Sequence, residues 1–285
     1  MRLFSIETGY FRLDGGAMFG IIPKPLWAKL IPPDSENRIL MAMRSLLIED
    51  GNRLFLIDNG LGHKYDSKFA EIYQIDHTQN LDKSLAQHGF SKKDITDLII
   101  THLHFDHAGG TTEIDTTTGN YKIAFPNARI WLQRSNLELA QNPNPREKGS
   151  FFDDFLIPIT QWENLQLLEN ETTLTPHIHI KVCNGHTSGM QLPIIQYKNY
   201  QILFATDLIP TYAHVPLPYI MAYDTQPLVT IAEKQAILLW VVKEKVILFY
   251  QHDPTNECGT VVQDDKGRFI SEKTFPLTEI TGNNS

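Results

Sequence analysis

Asp97-Leu98-Ile99-Ile100-Thr101-His102-Leu103-His104-Phe105-Asp106-His107-Ala108-Gly109-Gly110 is a short apolar run that opens into three histidines and an aspartate and closes on two glycines. The run reads as a buried strand, which places the polar residues on a loop at its end. Neutral imidazoles and an ionised carboxylate are the donors a borderline-soft divalent ion such as zinc prefers. Buried without a metal, they would leave several donors and acceptors to satisfy at once. From an extended chain His102 and His104 can point one way while Asp106 and His107 point another. One short loop can therefore serve two ions.

Working outward, Ser45-Leu46-Leu47-Ile48-Glu49 and Leu54-Phe55-Leu56-Ile57-Asp58 flank Asp50-Gly51-Asn52, the pattern of a β-hairpin. Leu81 to His88 predicts a short helix stopped by Gly89, and Ser91-Lys92-Lys93-Asp94 has the form of a capping box for another. Residues 134–160 carry Pro143, Pro145, Gly149 and Pro158, and are expected to be a surface excursion without a long regular element. His177 to Val182 alternates like a strand and leads into Gly185-His186-Thr187. Pro227 opens a long helix running to about Lys245, and Val246-Ile247-Leu248-Phe249-Tyr250 reads as a buried strand ending at Gln251-His252-Asp253-Pro254. Shifting the chain by 149 lays the first hairpin over Ile194 to Asp207, each half ending a strand on an aspartate. Two βα-type halves, with sheets packed face to face and helices outside, would satisfy this pattern.

Strand ends offer six further groups: Asp58, His63, His186, Asp207, His214 and His252. Of these His186, Asp207 and His252 join the loop residues as candidate ligands, making five histidines and two aspartates. That number suits two metals with one shared carboxylate. His63, His77, His88, His177 and His179 have ordinary surface or strand explanations. Met18, Phe19 and Trp27, in a Gly-rich stretch before or beside Pro23 and Pro25, are core or lid packing, or else the wall of an apolar pocket.

Composition narrows the function. The 285 residues, 42 % hydrophobic, can bury a large core, and no low-complexity linker divides them, so a single domain over 1–285 is expected, with a substrate loop around 15–30. A net charge of −8 argues against nucleic acid and against an anionic membrane surface. The opening residues lack a signal-peptide core, no stretch approaches a transmembrane span, and Cys183 and Cys258 form no disulfide framework; a cytoplasmic protein is expected. Gly60-Leu61-Gly62 puts Tyr65 where a dinucleotide fingerprint needs its third glycine. A GxSxG elbow, an HExxH pair and a Walker loop are all missing from the sequence.

With these residues in hand, the chain resembles the metallo-β-lactamase-fold hydrolases, whose HxHxDH signature stands at His102, His104, Asp106 and His107. The resemblance implies an α/β fold, a four-layer αββα sandwich of two mixed β-sheets flanked by helices. It implies two Zn2+ per chain, other divalent transition metals being open, with His102, His104 and His186 on one ion, Asp106, His107 and His252 on the other, and Asp207 bridging. Three stretches are similar to the quorum-quenching N-acyl-homoserine-lactone lactonases and methyl-parathion-hydrolase-type enzymes: Gly15 to Gly20 with Pro23 to Trp27; Asn37-Arg38 with Arg44 to Ile48; and Asp207 through His214 to Asp224. The implied activity is hydrolysis of lactones carrying an apolar portion, with Asp106 moving the proton. Aryl phosphotriester or thioester hydrolysis is the alternative within the class, and a metal-bearing ligand sensor the alternative outside it; a homodimer is compatible with all of these. Met18, Phe19, Trp27, Tyr212, His214 and Tyr223 are the candidate substrate residues. One departure stands out. The lactonases carry a tyrosine three positions after the bridging aspartate, and here that place is Pro210.

Overall fold

The computed structural model describes residues 1–282 and has two compact units, Met1–Tyr10 with Met43–Asn170, and Phe11–Ala42 with residues 171–282. A six-stranded sheet runs in the order Arg2–Asp14, Arg38–Asp50, Arg53–Ile57, Asp97–Ile99, Arg129–Gln133 and Leu165–Leu168. The hairpin is there, antiparallel, with Leu46 facing Ile57 and Asp50 facing Arg53, and from Arg53–Ile57 onward the neighbouring strands run parallel. Asp97 anchors the strand that launches the histidine loop. Burial would raise the pKa of this fully enclosed carboxyl, but bonds from Arg53 Nε (2.9 Å), Trp131 Nε1 (2.9 Å) and Thr96 Oγ1 (2.7 Å) hold it below the usual carboxylate range.

A seven-stranded mixed sheet runs Phe269–Phe275, Cys258–Gln263, Ile247–Phe249, Tyr200–Phe204, Met190–Tyr197, Ile178–Cys183, Thr172–Thr175. The expected helix after Pro227 spans Pro227–Glu244 and ends on Lys245 in the left-handed conformation. Its Ile237, Leu238 and Val241 bury against Leu203, Leu248 and Val261, and fully burying each such side chain is worth about 1.5–3 kcal/mol. The second hairpin is also present, but Ile195 faces Ile202, whereas its counterpart Leu46 faces Ile57 across a longer span. The repeat therefore aligns strand ends rather than paired residues.

Two segments differ from expectation. Ser91 to Asp94 has both reciprocal capping bonds but caps only the single 3-10 turn Lys92–Asp94. Residues 134–160 are more regular than their prolines suggest, holding two eight-residue helices, Arg134–Gln141 and Asp153–Thr160. Pro143 and Pro145 lie between them. Pro158 lies inside the second, where it cannot donate to the Asp154 carbonyl four residues back. That carbonyl accepts from Thr112 Oγ1 at 3.0 Å instead. Leu137, Ala140, Phe155 and Ile159 are buried, so the segment belongs to the core as well as to the surface. Among the described residues no helix is long and apolar enough to cross a membrane.

Candidate metal centre

In the first unit the strand Asp97–Ile99 delivers Thr101 and His102, and a single helical turn, Phe105–Ala108, carries Asp106 and His107. All four candidate ligands are buried. His102 Nε2 and His104 Nδ1 face each other at 3.1 Å, and His107 Nε2 lies 3.6 Å from Asp106 Oδ2. The loop is locked against the end of the hairpin. Asn59 N donates to His107 O at 3.0 Å, and Gly110 N to Gly60 O at 2.8 Å. A Cβ on Gly109 would meet Leu61 O at 2.4 Å and one on Gly110 would meet Asn59 O at 2.3 Å, which is why two glycines follow the last histidine.

Asp58 organises this half from behind. Fully buried, its carboxylate accepts from Thr101 N (2.7 Å), Thr101 Oγ1 (2.8 Å) and His107 Nδ1 (2.9 Å). A carboxylate can only accept, so His107 carries a proton on Nδ1, which leaves Nε2 as the nitrogen it can offer an ion. Thr101, having donated to Asp58, takes His102 Nδ1–H at 3.1 Å, which leaves His102 Nε2 to face His104. From the helix Arg134–Gln141, buried Asn136 accepts Leu103 N at 2.9 Å and pins the loop between the two histidines.

The second unit repeats the logic around one carboxylate. Asp207 Oδ2 lies 3.0 Å from His186 Nε2, and its Oδ1 lies 3.0 Å from His252 Nε2. The opposite nitrogens are held as well: His186 Nδ1 by Asp224 Oδ1 at 2.9 Å, and His252 Nδ1 by the Ala42 carbonyl at 2.8 Å. Burial alone would depress the His186 imidazolium, but Asp207 and Asp224, one at each nitrogen, raise its pKa to about 10. A buried cation between two carboxylates is the situation a divalent ion answers, replacing the proton. Each half offers imidazole nitrogens and carboxylate oxygens, with the outer nitrogen of His102, His107, His186 and His252 tied to an oxygen. This donor chemistry fits zinc and similar ions.

The remaining sequence-predicted residues are placed less uniformly. Phe19 is stacked between Trp27 (centroids 5.1 Å apart) and His214 (4.4 Å), all three sealed from solvent along with Met18. His214 spends both nitrogens, Nε2–H on Met18 O at 2.9 Å and Nδ1 on Thr211 Oγ1 at 2.7 Å. Burial keeps it neutral, with a pKa pushed down to about 3. Tyr212 donates its hydroxyl to Leu30 O at 2.9 Å, and Tyr223 is 40 % exposed. The sequence reading missed Asn136 and the partnership of Asp224 with His186. It also missed an aromatic cluster beside Asp106: Phe105 stacks on Phe152 at 5.4 Å, with Phe69 and Tyr73 edging onto Phe105 at 5.3 and 5.4 Å. The i, i+4 spacing of Phe69 and Tyr73 was the available signal. Burial and the charge of Asp106 both raise the Tyr73 pKa.

Residues 44–252 match the Metallo-beta-lactamase superfamily, a span drawn from both units, and the chain belongs to that superfamily and is a hydrolase. An N-acyl homoserine lactonase from a Bacillus species is 27 % identical over 274 residues, covering 92 % of this chain and 96 % of its own. Among solved structures, a probable metal-dependent hydrolase from Staphylococcus aureus aligns with TM-score 0.84 at 26 % identity, covering 96 % of this chain and 98 % of that one. The lactonase AidC, described as a dizinc quorum-quenching lactonase solved with its product, aligns with TM-score 0.78 at 24 % identity, covering 96 % and 95 %. The fold is that of the superfamily.

Proposed function

We propose that the two half-sets form one dinuclear centre and that the chain is a lactonase acting on N-acyl-homoserine lactones or related lactones. The observation carrying this reading is Asp207, whose two oxygens each meet the Nε2 of a different histidine, as a shared ligand would. On this reading His102, His104 and His186 with Asp207 hold one ion, and Asp106, His107 and His252 the other. Near full-length similarity to a Bacillus lactonase favours the lactone substrate within the superfamily. The family match spans both units, so we treat residues 1–285 as one functional domain.

When bound, two divalent ions supply Lewis acidity that activates water and polarises a carbonyl. The chain's own residues do the rest. Asp106 accepts the proton of the attacking water and returns it to the departing ring oxygen. Asp58, Asp224, Thr101 and the Ala42 carbonyl fix which nitrogen each histidine presents. The apolar part of the substrate lies against Phe69, Tyr73 and Phe105, which flank Asp106, while Met18, Phe19, Trp27 and His214 hold the N-terminal loop in place. Lysine and arginine are missing from this ligand set, which suits a neutral ring.

Zinc-reconstituted protein should contain about two metals per chain and open acyl-homoserine lactones faster than aryl phosphotriesters, thioesters or β-lactams. Elemental analysis finding one ion or none would refute the dinuclear centre. Rapid turnover of a thioester or phosphotriester with undetectable lactone hydrolysis would refute the substrate assignment. Loss of turnover with retained metal in Tyr212→Phe or Tyr223→Phe would identify the phenol that stands in for Pro210.

A further inference from the structure

We propose that Glu147 is a positioning residue for His104, receiving the Nε2 proton of that ring so that Nδ1 is kept for a metal ion. The inference rests on the metal-centre reading above. His104 Nδ1 is the nitrogen that faces His102 Nε2, at 3.1 Å. Its other nitrogen, Nε2, lies 3.8 Å from Glu147 Oε1, within ion-pair reach and longer than a hydrogen bond. The outer nitrogens of His102, His107, His186 and His252 meet Thr101, Asp58, Asp224 and the Ala42 carbonyl. Glu147 stands in the corresponding place for the fifth histidine, at ion-pair distance.

The turn that carries Glu147 is built to hold it there. Asn144 Oδ1 accepts the backbone N–H of Arg146 (2.9 Å) and of Glu147 (3.1 Å), while the Asn144 amide donates to the second carboxylate oxygen, Oε2. Ser150 N closes the turn onto Glu147 O at 2.8 Å. The next residue, Phe151, packs its ring 5.3 Å from that of His104. Glu147 is only 4 % exposed, and an ionised carboxylate is costly to bury unless a cationic or strongly polarised donor stands beside it. A histidine bound through Nδ1 must carry its proton on Nε2. Oε1 of Glu147 is the carboxylate oxygen within ion-pair reach of that nitrogen.

The test is zinc titration against a chelating indicator together with long-range 15N–1H spectra of the metal-free protein. Glu147→Gln keeps the shape, the Asn144 contact and the turn, while Glu147→Leu removes every polar atom. The Gln variant should lose about 10- to 100-fold in affinity for one of two ions, leave the other unchanged, and unfold at the wild-type temperature when metal-free. Its His104 should shift from the Nε2–H tautomer towards Nδ1–H, and the Leu variant should lose at least as much affinity. Wild-type affinities and an unchanged tautomer in the Gln variant would overturn the proposal whether or not the Leu variant folds. A wild-type protein that takes up no zinc would refute the metal-centre reading instead, and the tautomer comparison would still decide the role of Glu147.

Discussion

Replacing Asp58 by asparagine removes one charge, changes no volume and replaces no candidate ligand, yet its contact with His107 makes it a severe test of the site. The carboxylate takes three bonds, from Thr101 N, Thr101 Oγ1 and His107 Nδ1. An amide can keep the first through its oxygen. Its NH2 group, turned towards His107, would oppose one donor to another, so the ring must shift its proton to Nε2 and lose the nitrogen it offers a metal. A hydrogen bond to a charged group contributes about 1.5–3 kcal/mol, and about 1.4 kcal/mol is a tenfold change in binding. On the proposed dinuclear reading, Asp58→Asn should therefore weaken binding of the ion assigned to His107 roughly 10- to 100-fold, and leave the ion assigned to His102 and His104 close to wild type. Stepwise zinc competition against a chromophoric chelator measures both affinities, and 15N spectra report the tautomer. Two unchanged affinities with an unchanged His107 tautomer would refute the argument that Asp58 acts by fixing that ring.

Three further outcomes follow from the same geometry. Asp106→Asn should cut turnover by about a hundredfold or more, with little change in thermal unfolding of the metal-free protein; near-normal steady-state turnover would remove Asp106 from proton transfer. His186, raised from 6.5 to about 10, gives the metal-free fold stability that is complete below pH 6.5 and lost as the pH climbs through 10. Urea unfolding across that range should show the decline, and added zinc should flatten it because the ion replaces the proton. Trp27→Ala should cost about 3–5 kcal/mol of stability, the range for emptying a fully buried aromatic site. If Trp27 only packs, kinetic losses will be equal for short and long acyl chains; a loss confined to long chains would make it a pocket wall.

Much of this architecture could be read from the chain because its signals are local. A strand opening into His102-Leu103-His104-Phe105-Asp106-His107, an Asp-Gly turn between apolar runs, and Pro227 at a helix start each declare themselves within a dozen residues. Residues 134–160 resisted for the converse reason. An eight-residue helix has barely two turns of periodicity, and a proline inside one reads as a break unless the orphaned carbonyl finds a partner. For Asp154 that partner is Thr112, far away in sequence. The apparent repeat misled in register because matching strand ends at Asp58 and Asp207 do not require matching turns.

The positioning groups were hidden most thoroughly. Asn136 and Glu147 belong to no motif, Asp224 only closes a stretch whose partner the sequence does not name, and each acts on a residue supplied by a different element: Asp224 on His186, Asn136 on Leu103, Glu147 on His104. A ligand histidine is recognisable by type and spacing because the ion demands nitrogen donors at fixed intervals. The oxygen behind it faces a looser requirement: any acceptor at the right distance fixes the tautomer, whether the Asp58 carboxylate, the Thr101 hydroxyl or the Ala42 backbone carbonyl. Several chemical solutions to one geometric need leave no common sequence pattern. A candidate ligand set can therefore be proposed from one chain, while the oxygens that hold the outer nitrogens become visible only with the fold.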